Sequence, residues 1–274
     1  MSAIRGAGSE RSDMYEVFRD EQVSVVSDRP VPRAEAKALA ARIEKAWKSD
    51  LHQHRWDDPS ELRDTLTVAV LSPRAFADFT GDETGAIAGV TTGQDTIVLP
   101  ARLLRGATPA DLNTLAHELS HVQDFREAGD AMDSIPTYLE EGKATVLGDA
   151  YGSEPEHLAQ TARTLASLSG DDAAYLLRNF RHASAERRPP PFVYLGEVTG
   201  ALFVEYLATH VKRDAVVRLA DAVEAAGNGT RFTDAFQVAF GLSLAETERR
   251  FVAFIRETEG QPARRLAGTL YAPR

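Results

Sequence analysis

Thr108-Pro109-Ala110-Asp111-Leu112-Asn113-Thr114-Leu115-Ala116-His117-Glu118-Leu119-Ser120-His121 is the stretch on which the reading of this chain turns. Thr108 suits the N-cap of a helix, Pro109 its first position, and Asp111 completes a capping box. Leu112, Leu115, Leu119 and Val122 then recur at helical spacing as one apolar stripe. His117 and His121 are four residues apart, so they stand side by side on another face, where two imidazoles can hold one cation. Glu118 falls beside such a cation, where its carboxylate can take a proton from a bound water. With 7 histidines in 274 residues, random order yields only ~0.01 occurrences of H-E-x-x-H per chain.

A catalytic zinc takes three protein ligands and keeps a fourth position for water. The chain has no cysteine, so its ligands are imidazoles and carboxylates. Beyond His121 a turn around Gly129-Asp130 leads to a helix opened by Ser134 and Pro136. That helix carries Tyr138-Leu139-Glu140-Glu141-Gly142-Lys143-Ala144-Thr145. Packed against the first helix, it can present one carboxylate, Glu140 or Glu141, to the two histidines.

His117-Glu118-Leu119-Ser120-His121 taken with Leu139-Glu140-Glu141-Gly142-Lys143-Ala144 resembles the gluzincin metallopeptidases, in which H-E-x-x-H is followed on the next helix by a ligand glutamate. The second stretch is similar to the L-x-E-G-x-A signature of the aminopeptidase-like branch, and that alignment implies Glu141 as third ligand. Nineteen residues stand between His121 and Glu141, the spacing of the thermolysin-like branch, whereas a spacing of eighteen would select Glu140. Ala88-Gly89-Val90, Thr96-Ile97-Val98-Leu99 and the helix after them are similar to the front lobe of bacterial peptidase MA-like domains. Tyr194 to Tyr206, Phe232 to Leu244 and Phe251 are similar to their helical tail, so the likeness spans roughly residues 64 to 257.

This resemblance implies an α+β, zincin-like fold: a small sheet lobe, then a mostly helical C-terminal lobe, with the active-site cleft between them. It implies one Zn2+ per chain on His117, His121 and Glu141, with Glu118 as general base. A peptide or protein substrate would lie along the edge strand around Ala86–Thr92. Related aminopeptidases use a tyrosine well beyond the third ligand as oxyanion donor, which makes Tyr194 the candidate, with His182 and His210 as alternatives. The function so implied is a zinc-dependent metallohydrolase acting as a peptidase. A zincin-fold hydrolase of a non-peptide amide or ester, and a non-catalytic zincin-derived module, are the competing readings.

The rest of the chain fills in around this centre. Residues 1–30 read as a polar, weakly structured lead-in ending at Pro30 and Pro32, followed by a sheet-bearing lobe (31–128) and a helical lobe (129–274). Leu39, Ile43 and Trp47 mark an amphipathic helix over Arg33–Lys48. Strands are expected at Leu66–Leu71, stopped by Ser72-Pro73, and at Ala86–Thr92 and Thr96–Leu99, joined through Gly93-Gln94-Asp95. Helices are expected at Pro109–Ala128, Pro136–Tyr151, Glu156–Leu168, Ala173–His182, Tyr194–Val211, Ala215–Ala226, Thr233–Phe240 and Leu244–Glu257, with Arg187-Arg188-Pro189-Pro190-Pro191 as a stiff loop. Asn113, Thr145 and Asp149 are candidates for orienting the imidazoles, and His52-x-His54 reads as a solvated loop. A net charge of −10 argues against nucleic acid or an anionic membrane as partner. No apolar run reaches membrane-spanning length and Met1–Asp20 lacks a secretory pattern, so the expected location is the cytoplasm.

Overall fold

A computed structural model describes residues 14–53, 65–82, 87–106, 108–152, 169–180 and 190–257. Five short strands build one mixed sheet: β1 (Tyr15–Arg19), β2 (Val23–Ser27), β3 (Leu66–Leu71), β4 (Val90–Thr91) and β5 (Thr96–Pro100), in the order β1-β2-β3-β5-β4. The inner pairs β2–β3 and β3–β5 are parallel, and the outer pairs β1–β2 and β4–β5 are antiparallel. Parallel neighbours need crossovers. Helix α1 (Arg33–Gln53) lies between β2 and β3, and α2 (Pro73–Thr80) between β3 and β5.

Alternation along the strands divides the sheet into two faces. Val68 and Val70 of β3, with Ile97 and Leu99 of β5, pack on Leu39, Ile43 and Trp47 of α1 and on Leu115, Leu119 and Val122 of helix α3 (Pro109–Ala128). The expected apolar stripe of α3 is therefore the surface that seats it on the sheet. Ala69, Leu71 and Val98 point the other way and meet Phe76 of α2.

Beyond α3 come α4 (Thr137–Gly152), α5 (Gly170–Asn179), α6 (Pro190–Tyr206), α7 (Ala215–Gly227), α8 (Phe232–Phe240) and α9 (Leu244–Glu257). They share a second core centred on Tyr138, Phe203, Phe236 and Phe251. Tyr138 crosses Phe203 edge to face at 5.6 Å, Phe203 crosses Phe251 likewise at 5.3 Å, and the Tyr138 hydroxyl donates to Glu248 Oε1 at 2.5 Å. The fold class is thus α+β, as expected. No described helix is long and apolar enough to cross a membrane.

Several expectations are corrected. Residues 15–27 are not a lead-in but two strands, and β2 is buried beside β3. Its serines, Ser24 and Ser27, hide the pattern in the sequence, while the pairing that orders it comes from Leu66–Val70, far along the chain. Pro73 starts α2 rather than merely ending a strand, because proline fits the first helical turn, where no intrahelical N–H bond is required. The same property lets Pro190 and Pro191 begin α6, where a loop was expected. The strand expected at Ala86–Thr92 is paired only over Val90–Thr91, and Ala86 lies outside the described residues. Leu207–Val211 continues α6 as a wider π turn. The helix expected at 156–168 falls outside the described residues.

Candidate metal centre

Two consecutive helices build this centre. The capping box forms as the sequence requires: Asp111 N donates to Thr108 Oγ1 at 3.2 Å, and Thr108 N donates to Asp111 Oδ2 at 3.0 Å. At the far end Gly129, with φ 53°, stops α3 and turns the chain toward α4. A side chain would strain that backbone.

His117 Nε2 and His121 Nε2 lie 3.1 Å apart, and Glu141 Oε2 stands 3.2 Å from the first and 3.4 Å from the second. Three donor atoms therefore form a tight triangle drawn from α3 and α4. A four-coordinate ion with ligand distances of about 2.0–2.2 Å separates its ligands by roughly 3.3–3.6 Å, so the triangle fits such an ion after a slight opening. This trio could hold a metal ion, and its nitrogen and oxygen donors suit zinc and other divalent cations alike. His117 and Glu141 retain side-chain exposures of 20% and 22%, so solvent reaches the triangle.

The geometry separates the two neighbouring glutamates. Only Glu141 reaches the triangle. Glu140 Oε1 lies instead 3.3 Å from Nδ1 of His121, the nitrogen turned away from it. The approach sets a negative charge against the outer edge of the ring, without the alignment of a hydrogen bond to Nδ1. Further along the same pair of helices, Asp124 of α3 and Lys143 of α4 form an ion pair whose side chains are 2% and 3% exposed.

Glu118, the residue after the first histidine, is buried against the sheet edge. The Thr91 hydroxyl sits 2.8 Å from its Oε2 and 2.9 Å from its backbone carbonyl. Just before β4, a Cβ at Gly89 would fall 2.9 Å from Glu118 Cγ and 3.0 Å from its Oε1. Glycine there lets the strand run directly alongside the carboxylate. On the far side α6 meets α4 backbone to backbone: a Cβ at Gly200 would stand 2.0 Å from the Tyr138 carbonyl, and one at Gly142 only 2.2 Å from the Gly200 carbonyl carbon.

The electrostatics favour positive charge at the triangle. Burial disfavours the imidazolium of His117, but its hydrogen bond to Glu141 and the charges of Glu141 and Glu118 outweigh it and raise its pKa above 6.5. For His121 burial is likewise outweighed, by Glu141 and Glu140, and the pKa stands well above 6.5. Burial would raise Glu141, yet the two imidazoles hold it well below the usual carboxylate range. Glu140 is raised, burial prevailing over His121. Glu197 of α6 is pushed up to about 7, first by burial and then by the charge of Glu141.

Of the sequence candidates, His117, His121 and Glu141 come together, while Glu118 turns its carboxylate to Thr91 and Gly89 at the sheet edge. Tyr194 falls in the first turns of α6, but its side chain is outside what is described, as are those of Asp149 and His52 and the whole of His54 and His182. His210 stacks on Tyr206 at 5.1 Å and lies 4.6 Å from Phe254, which places it in an aromatic cluster. Asn113 meets α4 through its backbone, its carbonyl oxygen 2.8 Å from where a Cβ on Gly148 would be. Three participants were not read from the sequence: Thr91, Gly89 and the Asp124–Lys143 pair. Compared with protein-family models and with curated protein sequences, the chain matches none.

Proposed function

We propose that this chain is a metal-dependent hydrolase of zincin-like design, and specifically a zinc peptidase. The observation that carries the reading is the convergence of His117, His121 and Glu141 on one point; Glu118 follows His117 in the chain, and Thr91 of β4 holds its carboxylate. Held there, zinc would act as a Lewis acid and bring the pKa of a bound water to around 7. Glu118 then serves as general base: it accepts a proton at its carboxylate and returns it to the leaving amine. Thr91 occupies Oε2 of that carboxylate and so orients the other oxygen. Glu140 sets its charge against the outer edge of the His121 ring. Because β4 ends the sheet on that side, an extended peptide can add to its outer edge and bring a carbonyl beside Glu118.

The test is exposure of a diverse peptide library to wild type and to Glu118→Gln, read by mass spectrometry, with metal content measured on both proteins. The expected result is cleavage by wild type and a loss of about 10²–10⁴-fold in rate in the variant, with metal content unchanged. Undiminished turnover by Glu118→Gln sinks the mechanism. A metal-loaded wild type that cuts no peptide sinks the peptidase assignment.

A further inference from the structure

Gly89 and Thr91 stand two apart in the chain, the separation that turns extended residues to one side of a sheet. Both meet a single side chain there, that of Glu118. The Thr91 hydroxyl lies 2.8 Å from Glu118 Oε2 and 2.9 Å from the Glu118 backbone carbonyl oxygen. One O–H group thus spans the side-chain and main-chain ends of the same residue. Such a span fixes the torsions between them, which a glutamate otherwise leaves free. At Gly89 the backbone comes so near that a Cβ would fall 2.9 Å from Glu118 Cγ and 3.0 Å from Thr114 Cγ2. Strand and helix are fitted to each other on both sides of Val90.

The strand that carries this contact is the shortest of the five. β4 pairs only through Val90 with Val98 and Thr91 with Ile97, and it ends the sheet. Thr92 N donates to Thr96 O at 2.9 Å and closes the ladder. Threonine is branched at Cβ and has one stiff torsion, so its hydroxyl goes where the backbone goes. A shift of β4 is therefore passed directly to the Glu118 carboxylate. The outer edge of these same two residues is where an extended peptide would add. A peptide paired there supplies a second row of hydrogen bonds and holds the strand from both sides.

We propose that Thr91 is a positioning residue that couples the docking of substrate on β4 to the orientation of the Glu118 carboxylate. The inference rests on the peptidase reading and names how that site is controlled: the substrate's own backbone, laid along β4, completes the alignment of the base. Binding energy from residues remote from the scissile bond then raises turnover and not affinity alone.

The experiment compares wild type, Thr91→Val and Thr91→Ser on three peptides that share one scissile bond. The first is truncated, the second is extended at both ends, and the third is the extended peptide with alternate amides N-methylated. Valine keeps the shape of threonine without its hydroxyl, and serine keeps the hydroxyl. In wild type, extension is expected to raise kcat about tenfold and N-methylation to remove that gain. In Thr91→Val the gain in kcat falls below about threefold, while the effect of extension on KM persists and metal content is retained. Thr91→Ser restores most of the gain. A gain in kcat that survives Thr91→Val overturns the proposal, as does a wild type in which extension lowers KM and leaves kcat unchanged.

A second readout needs no turnover. Acetohydroxamate chelates a divalent metal and offers a proton to a carboxylate beside it, so its affinity for metal-loaded protein reports the placement of Glu118. Calorimetry is expected to show binding about fivefold weaker in Thr91→Val and recovered in Thr91→Ser. Equal affinity in wild type and Thr91→Val overturns the proposal. If wild type cuts no peptide yet this difference is found, the peptidase reading fails and the positioning of Glu118 by Thr91 stands.

Discussion

Helix α3 turns two dry faces to its neighbours, and they are made of opposite materials. Toward the sheet it presents Leu115, Leu119 and Val122, none more than 1% exposed. Toward α4 it presents His121 and Asp124, at 7% and 1%. The first face is held by burial of apolar area, which is favourable wherever it occurs. The second buries charge, which is favourable only when each group finds its partner. Here the partners come from α4: Glu141 and Glu140 for the histidines, Lys143 for Asp124. Burial alone therefore does not say which face serves the fold and which serves the chemistry; the material does.

The sharpest way to break the symmetry is at the ion pair. Lys143→Met alone leaves Asp124 buried without a counter-charge and is expected to cost about 3–5 kcal/mol, read by denaturant unfolding. Pairing it with Asp124→Leu should restore most of that stability while metal affinity, measured against a competing chelator, stays weaker by on the order of tenfold. If the double variant binds metal as wild type does, the pair has no part in shaping the centre. On the opposite face Leu119→Ala is expected to cost about 2–5 kcal/mol through the cavity it opens, with metal affinity changed little.

Changing pH should produce the smallest effect, and it should touch one face only. In metal-free protein the pKa values of His117 and His121 are raised in the fold. Their contribution is full below about 6.5 and is lost as pH rises through the folded values. Glu140 and Glu197, also raised, begin to lose theirs above about 4.5. Glu141, lowered, adds stability above about 4.5 and loses it as pH falls. Melting temperature without metal is thus expected to peak on the acid side of neutrality and to fall toward pH 9. Metal binding should strengthen over the same range as the imidazoles give up their protons. The penalty of Leu119→Ala should be flat across that range, since no titrating group lies on that face. A metal-free protein whose stability rises steadily from pH 5 to pH 9 would contradict the electrostatic account of the centre.

Much of this organisation is legible in the residues because it is local. The capping box, the α3 stripe and the spacing of His117, Glu118 and His121 depend on one helix and need no knowledge of what packs on it. The choice between Glu140 and Glu141 was already tertiary, since a one-residue step turns a side chain about a third of the way round a helix. What stayed hidden rests on contacts between distant segments. Thr91 reaches Glu118 from a two-residue strand too short to have a pattern, and Val23–Ser27 is built into the sheet by Leu66–Val70, far along the chain. Gly142 and Gly200 let α4 and α6 touch backbone to backbone right after Glu141, a fact no single helix records.

The two helices that carry the ligands are joined by a short 3-10 segment, Gly129–Ser134, and this bears on the order of assembly. His117, His121 and Glu141 close over a short span of chain, so little loop entropy opposes their meeting. Contacts so close in sequence are those that form soonest. The triangle needs only residues 117–141, whereas the helix that packs on α4 at Gly142, α6, begins at Pro190. The meeting of His117, His121 and Glu141 and the docking of α6 on their helices are then successive events in the making of the molecule.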